Sequence, residues 1–217
     1  MMHEHPATSK RPLASTRAGA MSHSMNAINV IHDEHRSLAA VLHGMLYLVH
    51  AIRDGRAAPD FQLFGAMVYY IDAFPERFHH PKEESYLFRL LRLRHPAVAP
   101  LLDRLHAEHR EGESRIRELE IALRRYEHGG DAHFEAFAAA VEDYAAFHWR
   151  HMRAEEDEVL PLARAHLSQA DWHEIDDAFA GSADPLLGTA AGDEYEALFR
   201  RIAHLAPPPI GLGTDPR

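Results

Sequence analysis

The sequence contains no cysteine. Disulfides, thiolate zinc sites, iron-sulfur clusters and cysteine nucleophiles are therefore excluded, and any metal must be bound through nitrogen and oxygen. Long apolar runs are also missing, because none approaches the roughly 20 residues that span a bilayer. The stretch up to Met21 lacks the apolar segment of a signal peptide. We expect a cytoplasmic protein with no membrane partner.

Positive charge is scarce relative to negative charge. The 33 acidic residues outnumber the 23 basic ones and give a net charge of -10. Nucleic acids and anionic membranes both require clustered positive charge, so we expect neither as a partner. Histidine, in contrast, occurs 19 times, and imidazole is the commonest metal-ligand side chain. The positions of these histidines must decide whether they bind metal.

The hydrophobic pattern divides the 217 residues into one domain and two tails. Residues 1–25 lack hydrophobic periodicity and are predicted to form a flexible leader. Residues 26–180 carry the periodic segments and are predicted to form the domain. Residues 181–217 are rich in glycine and proline, with one weak helical segment at 194–203, and form a predicted C-terminal extension.

Four long segments of residues 26–166 repeat apolar side chains every three or four positions, which is the period of a helix with one buried face. The second segment, from about 60 to 94, contains Pro75 and Pro81 and is predicted to be kinked. A short fifth helix is predicted from Ser168 to Ala180. Because strand signals are nearly absent, the fold class is all-α: an antiparallel up-down four-helix bundle with a short C-terminal helical extension.

Two short motifs occur twice in the chain. Residues 32–36 (HDEHR) and 106–110 (HAEHR) share the pattern H-x-E-H-R at an offset of 74, on the first and third helices. Residues 79–84 (HHPKEE) and 151–156 (HMRAEE) share H-x-x-x-E-E at an offset of 72, on the second and fourth helices. Since the offsets nearly agree, a pseudo-twofold axis can relate the two halves and place the motifs at a similar height in the bundle.

The repeated motifs predict a dinuclear metal site. Within H-x-x-x-E, the histidine and the glutamate project from one helix face about one turn apart. A carboxylate can bridge two ions, whereas an imidazole binds one. The predicted ligands are His35, His79, Glu83, His109, His151 and Glu155. Without a metal, six inward polar groups would each cost several kcal/mol of desolvation. Such ligands suit two iron ions with an oxo or hydroxo bridge, and zinc or manganese as substitutes.

Several neighbouring residues have less certain roles. His32, His106 and Glu113 are minor candidates for ligation, and for His32 and His106 we favour contacts on the flank of the site or behind the ligands. Two further histidines are predicted to lie on the surface because they point off the ligand faces: His80 and His148. Two further glutamates are predicted to be solvated or to orient the ligands from behind: Glu84 and Glu156.

The motifs resemble those of the hemerythrin-like HHE cation-binding family. The resemblance covers about residues 26–180 and rests on residues 78–84 and on residues 151–156 followed by Val159-Leu160-Pro161. Residues 172–187 resemble an extension of bacterial members. The resemblance implies a di-iron site that binds or senses dioxygen or related small molecules.

The sequence departs from the oxygen-carrying hemerythrins, which use five histidines, because Glu113 stands where they have a second histidine on the third helix. One histidine per helix with two glutamates is closer to di-iron proteins of nitrosative stress and iron-sulfur cluster repair. The leading hypothesis is a non-enzymatic protein that binds or senses dioxygen, nitric oxide or iron. The alternatives are an enzyme acting on peroxide or nitric oxide, and a structural helical module that binds metal adventitiously.

Overall fold

Five helices make up nearly all of residues 26–180, the part of the chain that the computed structural model describes. We label them α1 (Asn26–Arg53), α2 (61–94), α3 (Ala99–Gly129), α4 (134–166) and α5 (Gln169–Phe179). No strand occurs in this part of the chain, and α1 to α4 form the predicted four-helix bundle. The predicted leader, the C-terminal extension and the helical segment at 194–203 lie outside the described residues.

The helices begin and end at residues that supply local stop and start signals. Gly55 follows α1 with a φ of 69°, and Gly130 follows α3 with a φ of 70°, a left-handed conformation that glycine adopts without strain. Asp60 caps α2 by accepting a hydrogen bond from the backbone N–H of Leu63 at 2.9 Å. These caps fix where each helix turns back against its neighbour.

α2 and α4 are not uniform α-helices. α2 alternates between α-helix (Phe61–Ile71, His80–Lys82, Arg89–Arg94) and π-helix (Asp72–His79, Glu83–Phe88). α4 contains one π segment (Glu155–Val159) between α-helical Phe134–Ala154 and Leu160–His166. Of the two prolines that sequence analysis expected to disturb α2, Pro75 lies in a π segment and Pro81 lies in the short α-helical segment that follows it. The carbonyl of Pro75 accepts from the N–H of His80, five residues on. In both H-x-x-x-E motifs, the glutamate is the first residue of a π segment: Glu83 in α2 and Glu155 in α4.

The apolar core of the bundle is divided in two. One cluster lies towards the α1–α2 loop and the other lies towards the N-terminus of α1 and beneath α5. The first includes Leu42, Met45 and Phe64, and the second includes Leu91 and Ile175, all of them fully buried. Between these clusters the four helices direct polar side chains inward. The polar layer is therefore enclosed above and below by apolar packing.

α5 closes the second cluster at one end of the bundle. Ser168 caps this helix in a reciprocal arrangement with Asp171, as the sequence predicted. Asp171 also accepts two hydrogen bonds from the Arg94 guanidinium at 2.8 Å, and Asp176 accepts one from the backbone N–H of Ala27 at 2.8 Å. These bonds tie α5 to α1 and α2. None of the described helices combines the length and the apolar character needed to cross a membrane.

Candidate metal centre

The polar layer contains all six residues predicted as metal ligands. They come from all four bundle helices and none is more than 5% exposed: His35, His79, Glu83, His109, His151 and Glu155. Their convergence on one interior region is the arrangement that the sequence repeat predicted. Because the apolar clusters lie on both sides, these groups are withdrawn from bulk water.

The four histidines form two pairs. The Nε2 atoms of His35 and His79 are 3.2 Å apart, and those of His109 and His151 are 3.0 Å apart. Two nitrogen ligands that bind one ion at right angles, with bonds of about 2.1 Å, are about 3.0 Å apart. Each pair therefore has the spacing of two neighbouring ligands of one ion.

The two glutamates span both pairs. One oxygen of Glu83 is 3.4 Å from His79 Nε2, and the other is 3.7 Å from His109 Nε2. One oxygen of Glu155 is 3.4 Å from His35 Nε2, and the other is 3.2 Å from His151 Nε2. Each carboxylate thus presents one oxygen to each histidine pair, which is the geometry of a bridge between two ions.

The glutamate oxygens also provide a test of whether a metal fits. All four carboxylate oxygens of Glu83 and Glu155 are buried without a hydrogen-bond partner. Burying unpaired carboxylates is costly, and such groups ordinarily pair with a cation or coordinate a metal. His35, His79, Glu83 and Glu155 each offer a ligand atom within 4.8 Å of the others. The donor set and its unpartnered oxygens fit a pair of cations.

A second set of glutamates orients the histidines from behind. Glu34 lies 2.6 Å from His79 Nδ1, and Glu108 lies 2.9 Å from His151 Nδ1. The other two contacts are Glu84 to His109 Nδ1 at 2.8 Å and Glu156 to His35 Nδ1 at 2.9 Å. A carboxylate only accepts, so each Nδ1 donates and each Nε2 is directed to the centre.

These four contacts form a closed ring around the bundle. α1 supplies a carboxylate to α2, α2 to α3, α3 to α4, and α4 back to α1. Glu84 and Glu156, which were predicted to be either solvated or behind the ligands, lie behind the rings of His109 and His35 with side chains that are also partly exposed. The sequence analysis missed Glu34 and Glu108, although both are the middle residue of the duplicated H-x-E-H-R motif. The duplication was the signal that could have identified them.

The minor candidates for ligation lie outside the histidine pairs. His32 Nδ1 is 3.4 Å from Glu156 and His106 Nδ1 is 2.8 Å from Glu84, each on the outer side of an orienting carboxylate. Glu113 is exposed on α3. The two histidines therefore occupy the flank position that was the alternative to ligation.

The prediction that His80 and His148 lie on the surface was wrong. His80 is 5% exposed and His148 is fully buried. For His80, the prediction assumed 100° per residue, whereas π turns close their hydrogen bonds over five residues and bring consecutive side chains nearer to one face. His148 lies in a regular α-helical segment three residues before His151, a spacing that places both residues on one helix face. His80 follows the π segment directly and lies beside the centre, with its ring stacked on that of His109 at 4.1 Å.

The buried histidines and glutamates of the centre shift one another's pKa values. Burial lowers the pKa of His35, but the carboxylates of Glu155 and Glu156 outweigh it and raise this pKa to about 10. The pKa of His151 is raised to about 10 and that of His109 to about 9 by the same balance. Burial and the charge of Glu155 raise the pKa of Glu83 to about 7. In the metal-free protein, imidazolium protons thus balance the carboxylates that would face cations.

We expect the metal affinity to rise with pH. Because the raised pKa values of His35, His109 and His151 lie above neutrality, these rings carry protons at pH 7 that an incoming ion must displace. For each proton displaced, the metal affinity rises about tenfold per pH unit until the pH reaches the pKa of that histidine in the folded protein. Calorimetric titration in two buffers of different ionisation enthalpy measures the protons released. An affinity that is flat between about pH 6 and about pH 8 would contradict this expectation.

A small cavity opens beside the centre between α2 and α3. Its volume is about 80 Å³, and the ligand His109, the adjacent His80 and the orienting Glu84 line it together with Arg110 and Glu113. Both exposed residues, such as Arg110, and the buried ligand His109 line the cavity.

The fold and the buried histidine–carboxylate layer define a class: a four-helix bundle built around a metal-ion centre. A model of the hemerythrin HHE cation binding domain matches residues 26–163 of the chain. The chain therefore belongs to this family of cation-binding domains, and the resemblance drawn from its motifs is confirmed. Searches of curated proteins and of solved structures gave no match.

Proposed function

We propose that this protein is a non-haem di-iron protein that binds or senses dioxygen, nitric oxide or iron in the core of its bundle. One observation carries the proposal: the four oxygens of Glu83 and Glu155 are buried, lack hydrogen-bond partners and face two pairs of histidine Nε2 atoms. One histidine pair and one oxygen from each glutamate would hold each ion.

Iron is the metal that these ligands favour. The centre offers nitrogen and oxygen and no sulfur, which suits iron, manganese and zinc, and a carboxylate-bridged pair with open positions suits redox-active iron best. When bound, the iron pair supplies redox chemistry and coordination positions for a small ligand. The ring of carboxylates keeps the Nε2 atoms directed inward, and the two apolar clusters keep bulk water away.

The cavity beside the centre supports a ligand of very few atoms. Its volume of about 80 Å³ is well below the roughly 300 Å³ at which pockets for drug-sized ligands begin. Dioxygen and nitric oxide are small enough to enter it. We therefore favour a diatomic ligand that approaches on the side of His109.

Anaerobic loading with iron(II) followed by exposure to air tests the proposal. We expect two iron ions per chain and, after exposure, absorption bands of an oxo- or hydroxo-bridged ferric pair. Loading with zinc(II) is the control, because zinc occupies the same ligands without redox chemistry and gives no such bands. A protein that retains fewer than two ions, or whose iron-loaded spectrum is featureless in air, contradicts the proposal.

The second candidate is an enzyme that uses the same centre to act on peroxide or nitric oxide, or in iron-sulfur cluster repair. One observation favours it: the Tyr144 hydroxyl and the Glu76 carboxylate are 3.2 Å apart and make the wall of the bundle polar, with Glu76 about one turn from His79 and Tyr144 about two turns from His151. A binding protein reacts once with peroxide, whereas an enzyme consumes many equivalents per centre. Counting the equivalents of peroxide that each centre consumes in the presence of a reductant separates the two functions.

A further inference from the structure

A groove runs along the outside of the bundle between α2 and α3, beside the first apolar cluster. Its volume is about 450 Å³, and its floor is formed by the buried side chains of Val68, Ile116 and Leu123. Gly65 of α2 keeps the groove open, because it has no side chain and no neighbouring atom would lie within 4 Å of a Cβ placed there. The groove can therefore accommodate apolar side chains from outside the bundle.

The rim of the groove carries charged residues. On α2 and on α3, one arginine pairs with an acid of its own helix: Arg77 with Asp72, and Arg124 with Glu120. Two further rim residues on α3, Arg117 and Glu127, are exposed and form no ion pair within residues 26–180. They are ten residues apart, which is about 15 Å along a helix. The rim thus has an unpaired positive charge towards one end and an unpaired negative charge towards the other.

The chain beyond α5 contains a segment of the same length with an apolar face. This segment, residues 194–205, lies outside the described part of the chain, and five of its residues repeat at helical spacing: Tyr195, Leu198, Phe199, Ile202 and Leu205. As a helix, the stretch from the first to the last of them is about 15 Å long. A helix this short is marginal in water by itself, so its apolar face requires a surface to pack against.

The charges of this segment complement the rim of the groove. Glu194 and Arg201 are seven residues apart, which places both on one flank of the apolar face. With Glu194 beside Arg117, Arg201 lies towards the end that carries Glu127, and each charge meets its opposite. In the reverse direction, both pairs would bring like charges together. The order of the charges therefore selects one direction for the segment.

α5 ends close to the end of the groove that this direction requires. The ring of Phe179, the last residue of α5, is 5.5 Å from Lys82 Nζ on α2. Arg77, five residues before Lys82, lines the groove at the end that carries Arg117, because α2 and α3 run antiparallel. Residues 180–193 span up to about 50 Å when extended. The chain can therefore reach the groove and would enter it at its positive end.

We propose that residues 194–205 form an amphipathic helix that docks into the groove between α2 and α3 of the same chain. Its apolar face covers the floor of the groove, and Glu194 and Arg201 pair with the two unpaired charges of the rim. Recognition of this kind uses apolar anchors at positions i, i+3, i+4 and i+7 of a helix, which the segment has. The docking involves no residue of the metal centre, so it stands independently of the proposed function.

Hydrogen–deuterium exchange of the full chain tests this docking. In the wild type, we expect the backbone amides of residues 195–205 to exchange at least about 10-fold more slowly than those of an unstructured chain. Gly65→Leu fills the groove from within, and the fold tolerates it because the Cβ position is open and leucine favours a helix more than glycine does. In this variant, we expect the segment to exchange at the rate of an unstructured chain, whereas the amides of α1 to α4 stay protected.

A charge exchange tests the direction of the segment and does not depend on filling the groove. Arg117→Glu is an exposed change that brings a like charge to Glu194, and we expect the segment to exchange about threefold faster, the effect of losing a surface ion pair. Adding Glu194→Arg restores the pair and the wild-type rate. If the second substitution fails to restore that rate, the assigned direction is wrong.

Ala136→Leu is the matched control, because it adds the same side chain at an exposed position in a different groove, between α3 and α4. We expect this variant to exchange as the wild type does. The proposal is overturned if the segment is unprotected in the wild type, if Gly65→Leu leaves its protection unchanged, or if Ala136→Leu removes it equally. Protection that rises with protein concentration would assign the groove to a second copy of the chain and would also overturn the proposal.

Discussion

Replacing both bridging carboxylates, by Glu83→Gln with Glu155→Gln, abolishes the stabilisation that metal gives to this protein. A metal that binds only the folded state stabilises it by about 4 kcal/mol per ion when the free metal exceeds the dissociation constant a thousandfold. For a domain of this size, this corresponds to a rise in melting temperature of roughly 10 °C. The amides keep the shape of the carboxylates but lack the charge that holds either ion. The double variant therefore melts at the same temperature with and without iron(II).

Thermal unfolding under anaerobic conditions, with and without iron(II), measures this difference. Glu113→Gln is the control, because Glu113 is an exposed glutamate on α3 close to the centre and contributes no oxygen to it. We expect this variant to gain as much stability from iron as the wild type. If the double variant gained the same stabilisation as well, Glu83 and Glu155 would not hold the metal. The alternative of a helical module that binds metal adventitiously would then be favoured.

Neutralising one orienting carboxylate weakens metal binding without removing a ligand. Glu34→Gln leaves His79 in place but removes the negative charge 2.6 Å from its Nδ1, which lowers the basicity of the ring. Orienting residues of this type contribute about 10-fold to 100-fold to metal affinity. Glu34 is 2% exposed, so water cannot compensate for the loss of its charge. We therefore expect Glu34→Gln to lower the metal affinity by about 100-fold. Glu156 has a side chain that is 37% exposed, and Glu156→Gln is expected to approach the smaller value.

Competition with a chelator measures both affinities. Glu111→Gln is the matched control, because Glu111 is exposed on α3 and pairs with Arg115 at 2.7 Å, away from the histidines. We expect the order of affinities to be Glu111→Gln, then Glu156→Gln, then Glu34→Gln, from tightest to weakest. Equal affinities for Glu34→Gln and Glu111→Gln would show that the ring of carboxylates has no influence on the metal.

The duplicated motifs predicted most of the centre because they encode its symmetry. Two half-chains with the same residues at nearly the same offset must present those residues at the same height when they pack as a bundle. This argument identified six buried residues, His35 and Glu83 among them, that the structure brings together. It did not assign Glu34 or Glu108. The spacing of residues along the chain shows which helix face a residue occupies, but it does not show which neighbouring helix that face meets.

The sequence by itself determined the helices, their order and the repeat, since hydrophobic period, caps and breakers act over a few residues. It also excluded sulfur ligands, because the chain has no cysteine. Only the tertiary structure decided how the carboxylates connect each helix to the next and where the π turns lie. The π turn before His80 places that residue in the interior, whereas His148 lies in a regular α-helical segment and is buried because its face of α4 meets Glu76 of α2. Contacts between helices determine such positions, and local sequence preferences do not encode them.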